Sequence, residues 1–306
     1  MRRNGDKGKR AGAGKPRGGR VVDALLVVGF LFGLAVLLYP TVSNIYTTHV
    51  MEKAVSSYDS SVSSLTQEDF DAEWAKVDAY NAEVASIGFT TSFPEGMHAE
   101  YMAALNPQGD AIAMMGHVEI PKLGIDLPIY HGTSDDVLTA GVGHVEGSSL
   151  PGGGPSTHTV LSGHRGLPTS ELFTNLDQLQ VGDVFFIHVL DRDLAYEVDQ
   201  IRIVLPDQLD DLQIQQGEDL CTLVTCTPYA VNTHRLLVRG HRIDYPDQGY
   251  VAADATRVDP LLVACILAVP AFVAVMVALI VRRRQKREAR EAARRVASTI
   301  GKGKEG

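Results

Sequence analysis

Cysteine and tryptophan are scarce in this 306-residue chain, with three of the first and one of the second. Three thiols cannot build the disulfide framework of a small secreted scaffold. The sequence has no Cys-x-x-Cys and no His-x-x-x-His. It therefore offers no familiar metal-ligand spacing, and neither a metal nor another cofactor is expected. Gly152-Gly-Gly154 lacks a following Lys and helix, so it reads as a loop and not a phosphate cradle. No internal repeat is visible. Long apolar runs are absent except for two. Residues 21–39 are interrupted only by Asp23, and residues 261–281 carry no charge. What lies between them is enough for one domain of roughly 200 residues with a real core.

The formal net charge of −9 conceals a sharp asymmetry. Residues 1–20 hold eight Lys/Arg and one Asp, and residues 282–306 hold ten Lys/Arg and three Glu. Each tail is thus +7, leaving about −23 between them. Basic tails could bind nucleic acid, but each abuts an apolar run, so a membrane topology signal is the better reading. No nucleic-acid partner is expected. Positive-inside orientation puts both termini in the cytoplasm and the acidic middle outside, in a two-pass cell-membrane protein. Residues 21–39 exceed a usual signal-peptide core and lack a clean Ala-x-Ala, which favours an uncleaved anchor. Residues 261–281 are long enough for a hydrocarbon layer of about 30 Å. Pro270 does not forbid the span.

Taken in order, the chain divides as follows. Residues 1–20 form a basic tail, 21–39 an anchor and 41–110 an outer helical segment. Thr66-Gln-Glu-Asp69 reads as a capping box, with Phe70, Trp74, Val77 and Val84 following at helical spacing. From about residue 115 the pattern turns to short strands separated by turn signals, up to about 244. This predicts an all-β barrel or sandwich. Leu127 to Tyr130 is broken by Pro128 and is expected at an edge or bulge. Gly141 to Gly154 is expected as a loop, and Phe173 to Leu179 as one helical turn. Residues 245–259 read as a linker before the 261–281 span and the basic tail 282–306.

The most informative stretch is Thr222-Leu-Val-Thr-Cys226-Thr-Pro, followed by Arg235-Leu-Leu-Val-Arg239. Thr222 to Thr225 suits a pleated strand, and Pro228 ends it. Cys226 then lies at the strand end. Cys221 is five residues away, on the opposite face and about 16 Å off. That is beyond the limit of about 7 Å for a disulfide, so Cys226 should be a free thiol. A thiolate nucleophile needs a basic neighbour. His164, His234, His144 and Arg235 are the candidates. His164 follows a strand and sits between glycines in Ser162-Gly-His-Arg-Gly. His234 adjoins Arg235 and should face away from it on a strand. Asp135, Asp136 and Glu146 could orient His164, and nothing in the sequence selects one. Read on its own, Arg235 is a surface arginine or a salt-bridge partner.

The same residues resemble sortases, the membrane-anchored cysteine transpeptidases of Gram-positive bacteria. Thr-Leu-Val-Thr-Cys226 with Arg235 nine residues on looks like their signature. Ile120-Pro-Lys-Leu, Leu127-Pro-Ile-Tyr-His-Gly-Thr, Gly141-Val-Gly-His-Val-Glu-Gly and Leu161-Ser-Gly-His164-Arg-Gly look like the class C, pilin-polymerising branch. The resemblance implies a closed eight-stranded barrel with short helices, an N-terminal helical and lid segment and two flanking transmembrane helices. It implies catalytic roles for Cys226, His164 and Arg235, with Arg235 stabilising an oxyanion. The implied substrate is a Leu-Pro-x-Thr-Gly-like signal on a pilin or surface protein, and the acceptor an amine from a pilin lysine or a cell-wall peptide. Membrane lipid is the remaining partner. Class C sortases carry a lid with an Asp-Pro-aromatic motif. Here Thr91-Ser-Phe93-Pro94 lacks the Asp-Pro, which leaves Phe93 as the candidate plug. Sortase substrates also end in an apolar helix and basic residues, but no sorting pentapeptide occurs between 243 and 260.

Three other readings compete with this one. A housekeeping sortase would have one anchor and no lid segment. A papain-like hydrolase would put its nucleophile at a helix start with His downstream, the reverse of the order here. A non-enzymatic, membrane-tethered binding domain would make Cys226 merely structural.

Overall fold

A computed structural model describes residues 18–90, 94, 96–106, 113–167, 169–246 and 260–302. Two compact units are distinguished, Pro40–Arg257 and the pair of segments Met1–Tyr39 and Val258–Gly306. Phe93, the N-terminal tail to residue 17 and most of the expected linker lie outside the described residues.

The first helix, α1 (Gly18–Val62), does not stop where the apolar run ends. It continues through Pro40 into the second unit. Its Leu25–Val62 portion is, among the described residues, the one helix long and apolar enough to cross a membrane. The C-terminal helix, which becomes α5 below, spans Pro260–Lys302 and takes in both the uncharged run 261–281 and the arginine-rich tail. Within the first unit Phe30 and Phe272 stack.

In the second unit α2 (Gln67–Ile87) begins with the expected capping box: the Thr66 side chain accepts from Asp69 N–H, and Asp69 accepts from Thr66 N–H. Trp74, Val77, Tyr80 and Val84 fall on one face and are buried. Polar groups latch this helix in place. Asn81 donates to the Leu150 carbonyl and accepts from its N–H. Buried Glu73 accepts from Leu105 N–H. A short helix, α3 (Met97–Ala103), follows.

The strands are β1 (Met114–Ile120), β2 (Ile125–His131), β3 (Val142–His144), β4 (Thr157–Ser162), β5 (Val184–Val189), β6 (Arg192–Val204), β7 (Asp219–Thr227) and β8 (His234–Ile243). Helix α4 (Asp135–Ala140) lies between β2 and β3, and α5 closes the chain. The strands form a closed barrel in the order β1-β2-β3-β4-β7-β8-β6-β5. Closure removes the free edges that would otherwise invite pairing with another chain. A 3-10 turn at Leu176–Gln178 supplies the expected helical turn.

Two local expectations are corrected. β2 is not an edge strand, because it pairs with β1 on one side and β3 on the other. Pro128 is tolerated because β3 joins only from Ile129, so one flank of β2 is open at the proline. The bulge lies on β1, between Met114 and Gly116. The glycine-rich stretch after 141 is not wholly a loop, since it contains β3. There glycine permits a close approach: a Cβ on Gly143 would come within 2.3 Å of the Gly132 carbonyl oxygen.

Side chains alternate between the two faces of the barrel wall. Leu161, Cys221, Leu223, Leu236 and Val238 point inward to the main core. Val160, Val224 and Leu237 point outward into a second cluster with Phe89 and Leu212. Phe89 lies near the start of the segment expected to hold a lid, and its carbonyl accepts from Gln213 Nε2.

Candidate active site

The site is built by three adjacent strands of the wall. β4 and β7 run parallel, in register from Thr157 with Asp219 to Ser162 with Val224. β7 and β8 run antiparallel, with Cys226 directly opposite Arg235. Continuing the β4–β7 alignment past Ser162 brings His164 level with Cys226. Strand alternation puts Cys226 and Arg235 on the outward face, beyond the row Ser162, Val224 and Leu237, and His164 lies in the loop two residues after β4 ends. Thus β7 and β8 set Cys226 beside Arg235, and their neighbour β4 leads into the loop that bears His164.

Gly163 holds this alignment from below. Its N–H donates to the Val224 carbonyl, and its carbonyl accepts from Thr225 Oγ1 at 2.7 Å. A Cβ on Gly163 would lie 2.6 Å from the Phe173 ring, so the approach to that ring needs glycine. Phe173 N–H donates to the His164 carbonyl. The loop bearing His164 is therefore packed on a buried phenylalanine.

Cys226 is half-buried and free, whereas Cys221 is fully buried in the core on the opposite face. Burial pushes the Cys221 thiol well above its ordinary range, which makes it a poor nucleophile. His164 is half-buried. Arg235 donates to the carbonyls of Asn232 and His234, and no carboxylate among the described residues forms a salt bridge with it. Its charge is left available to a visiting anion. A free thiol, an imidazole and an uncompensated guanidinium on one face can attack a carbonyl, move a proton and hold an oxyanion.

The other candidate bases fall away. His144 is fully buried, with its ring held by the Ser149 carbonyl and the Tyr101 hydroxyl. Burial lowers it to about 3. His234 pairs with Thr227 in the next row and so faces away from Arg235, as expected. Glu146 is engaged by His98 at 2.7 Å, and Asp135 and Asp136 open α4. None of the three hydrogen-bonds His164. Sequence reasoning missed Phe89, whose only signal was an isolated aromatic after Gly88. It also missed Arg165, whose neighbour His164 drew the attention.

The fold and site define a closed eight-stranded β-barrel that carries a free thiol at the end of β7. Residues 118–243 match the sortase-domain family. Sortase C1 of Streptococcus agalactiae is 47% identical, with a TM-score of 0.61 over 63% of this chain and 100% of that one. Sortase C of Clostridium perfringens, solved with the C-terminal cell wall sorting motif, is 41% identical. Its TM-score is 0.55 over 63% of this chain and 99% of that one. Sortase D of Bacillus subtilis is 31% identical over 131 residues, covering 42% of this chain and 63% of that protein. The chain belongs to the sortase family, with its structural likenesses to class C, and members of the family are cysteine transpeptidases. It spans a little under two thirds of the length of the curated relatives it matches first.

Proposed function

We propose that this protein is a two-pass membrane cysteine transpeptidase that polymerises pilins. The observation that carries the reading is Cys226 directly opposite Arg235, with the loop bearing His164 leaving the adjacent parallel strand β4. The Cys226 sulfur attacks the Thr carbonyl of a Leu-Pro-x-Thr-Gly-like signal. Arg235 holds the oxyanion as the tetrahedral centre forms. The Thr–Gly C–N bond breaks, His164 gives its proton to the leaving Gly amine, and a thioester remains on Cys226. An acceptor amine, in this reading a pilin lysine, then attacks the thioester carbonyl. Its proton passes to His164 as the C–S bond breaks and Cys226 leaves as a thiolate. The likeness to class C structures supports the pilin assignment.

Two helices would carry the membrane topology. α1 holds the apolar segment starting at Leu25, and α5 holds the uncharged run 261–281 with its basic flank. The basic ends face the cytoplasm in this reading, and the acidic barrel faces out. The likeness to class C supports a lid in the segment that contains Phe93, and Phe89 of the same segment packs on the outer cluster with Val224.

The test is the full chain in detergent with a quenched Leu-Pro-x-Thr-Gly peptide, read by cleavage and by intact-protein mass. A thioester adduct should appear and should vanish in Cys226→Ala. Adding a lysine-bearing pilin peptide should release it as an isopeptide product faster than a cell-wall amine does. Equal release by the cell-wall amine would favour a housekeeping sortase. No adduct across several signal peptides would overturn the enzymatic reading in favour of a binding domain.

A further inference from the structure

The β4–β7 ladder ends at Ser162 and Val224, two residues short of the pair that must meet. Something has to keep His164 level with Cys226 beyond that end. Below the pair, the bonds of Gly163 to Val224 and Thr225 supply this. Above it, the next residues on each strand are Arg165 and Thr227, and they are joined as well. Arg165 Nη1 donates to Thr227 Oγ1 at 3.1 Å. Arg165 Nη2 donates to the Asp177 carboxylate. The pair His164 and Cys226 is therefore bracketed on both sides by side-chain bonds across the strand gap.

The chemistry of Arg165 fits a clamp. Its side chain is only 9% exposed, and Thr227 is 7% exposed. A guanidinium stays charged and presents its donors in a rigid fork, so two of its bonds fix its plane. Burying such a charge is costly unless it is paired, and Asp177, itself 47% exposed, supplies the counter-charge. Arg165 Nε has no hydrogen-bond partner among the described residues. A buried arginine held this way for packing alone would be a poor choice, because an apolar residue would fill the space without the desolvation penalty. The loop is also fixed from the far side. Gly166, at φ +77°, lies under Tyr229, where a Cβ would approach the ring to 2.9 Å. Gly166 N–H donates to Thr174 Oγ1.

We propose that Arg165 is a positioning residue, and that its bond to Thr227 carries the β4–β7 alignment past the end of the ladder and holds His164 against Cys226. The proposal rests on the reading of Cys226 and His164 as the reacting pair. Arg165 acts through them and does not touch substrate.

The experiment uses the full chain in detergent. Thr227→Val keeps the branched shape and removes the acceptor. Arg165→Lys keeps the charge and loses the fork, and Arg165→Met loses both. Displacing a reacting group by a fraction of an ångström to an ångström lowers the rate by about 10- to 100-fold. Thr227→Val should therefore reduce kcat about tenfold with KM within about twofold, and Arg165→Met should reduce it further, with Arg165→Lys between. A merely structural role would not predict the second readout, the pH profile of Cys226 alkylation by iodoacetamide. Thr227→Val should change this profile when His164 is present and leave it unchanged in a His164→Ala background, because the clamp works through that imidazole. Wild-type kcat in Thr227→Val, or an equal change of profile in both backgrounds, overturns the proposal. If Arg165→Met fails to fold, Thr227→Val still decides. Persistence of the thioester adduct in Cys226→Ala would instead refute the underlying function, so the two failures are separable.

Discussion

Cys226 and Arg235 stand directly opposite each other across β7 and β8, with both side chains on the outer face of the barrel. A nucleophile and a guanidinium on such a pair are neighbours whatever the loop between them does, because the ladder sets their separation. In the proposed mechanism the thiol delivers electrons to a carbonyl carbon, and the resulting oxyanion forms beside the cation. Arg235→Ala should therefore lower kcat by about 10²- to 10³-fold, the usual cost of losing an oxyanion donor. Arg235→Lys should recover only part of that, since a point charge lacks the fork. Neither change should alter thermal unfolding by more than about 1 kcal/mol, because Arg235 has only carbonyl partners at its own turn. Peptide cleavage and calorimetry on the same preparations check both statements. A wild-type rate in Arg235→Ala would remove the arginine from the mechanism.

Phe89 connects the helical segment to the strand face that bears the site. It packs against Val160, Val224, Leu212 and Leu237 on the outside of the barrel. Deleting its ring should cost about 3 kcal/mol, the low end for a buried phenylalanine, since a small outer cluster can partly collapse. It should also uncover the outer face one row from Cys226. Phe89→Ala is expected to speed alkylation of Cys226 several-fold at a temperature where the protein remains folded. An unchanged alkylation rate would mean that Phe89 does not shield the thiol.

Acid should destabilise the barrel through its buried histidines. Burial lowers His144 to about 3 and His158 to about 4, from an ordinary value near 6.5. His131 shifts in the same direction and for the same first cause. Between pH 6.5 and 4 the unfolded chain binds protons that the folded chain refuses. The stability contribution is full above pH 6.5 and is lost as pH falls through this window. Two such protons correspond to a loss of at most about 2.7 kcal/mol per pH unit. Denaturant midpoints measured from pH 7.5 to 4.5 at constant ionic strength should show this slope. His158→Gln should flatten it by about one proton, and a slope that does not change in that variant would refute the assignment.

What the sequence made legible was local. The capping box at Thr66 and Asp69, the strand ending at Cys226, the opposite faces of Cys221 and Cys226 and the outward turn of His234 all follow from neighbours in the chain. The eight-stranded closure came from family resemblance and not from periodicity. The parallel pairing of β4 with β7 could not be read, because it joins residues 62 apart and depends on how the barrel closes. Arg165 was invisible for that reason: its partner Thr227 is near only in the fold. β3 was hidden because three residues centred on a glycine carry little strand pattern, and parallel pairing with β2 decides the outcome. Helix α1 ran past Pro40 because the polar segment beyond the apolar run finds barrel contacts. The Tyr58 hydroxyl, for one, donates to the Met115 carbonyl and accepts from Leu190 N–H.

Tyr101 offers a test of how α3 is fastened, independent of catalysis. Its hydroxyl is fully buried, donates to the His144 carbonyl, accepts from Gly132 N–H at 2.7 Å and lies 3.1 Å from His144 Nδ1. Its ring packs edge-on against His131 and tilted against Tyr80. One oxygen thus serves the ends of β2 and β3 together, and burial pushes its ionisation well above the ordinary phenol range. Tyr101→Phe keeps the ring contacts and strands the Gly132 N–H without its acceptor. Leaving a buried donor unpaired costs about 1–3 kcal/mol. For a domain of this size that lowers the unfolding temperature by roughly 3–10 °C. Because Tyr101 bonds the ends of β2 and β3, on the other side of β4 from β7 and β8, kcat well below the melting range should stay within about twofold of wild type. Thermal circular dichroism and peptide cleavage together decide the matter. A lowered melting point with intact turnover assigns Tyr101 to the fastening of α3, and a large loss of turnover would overturn that assignment.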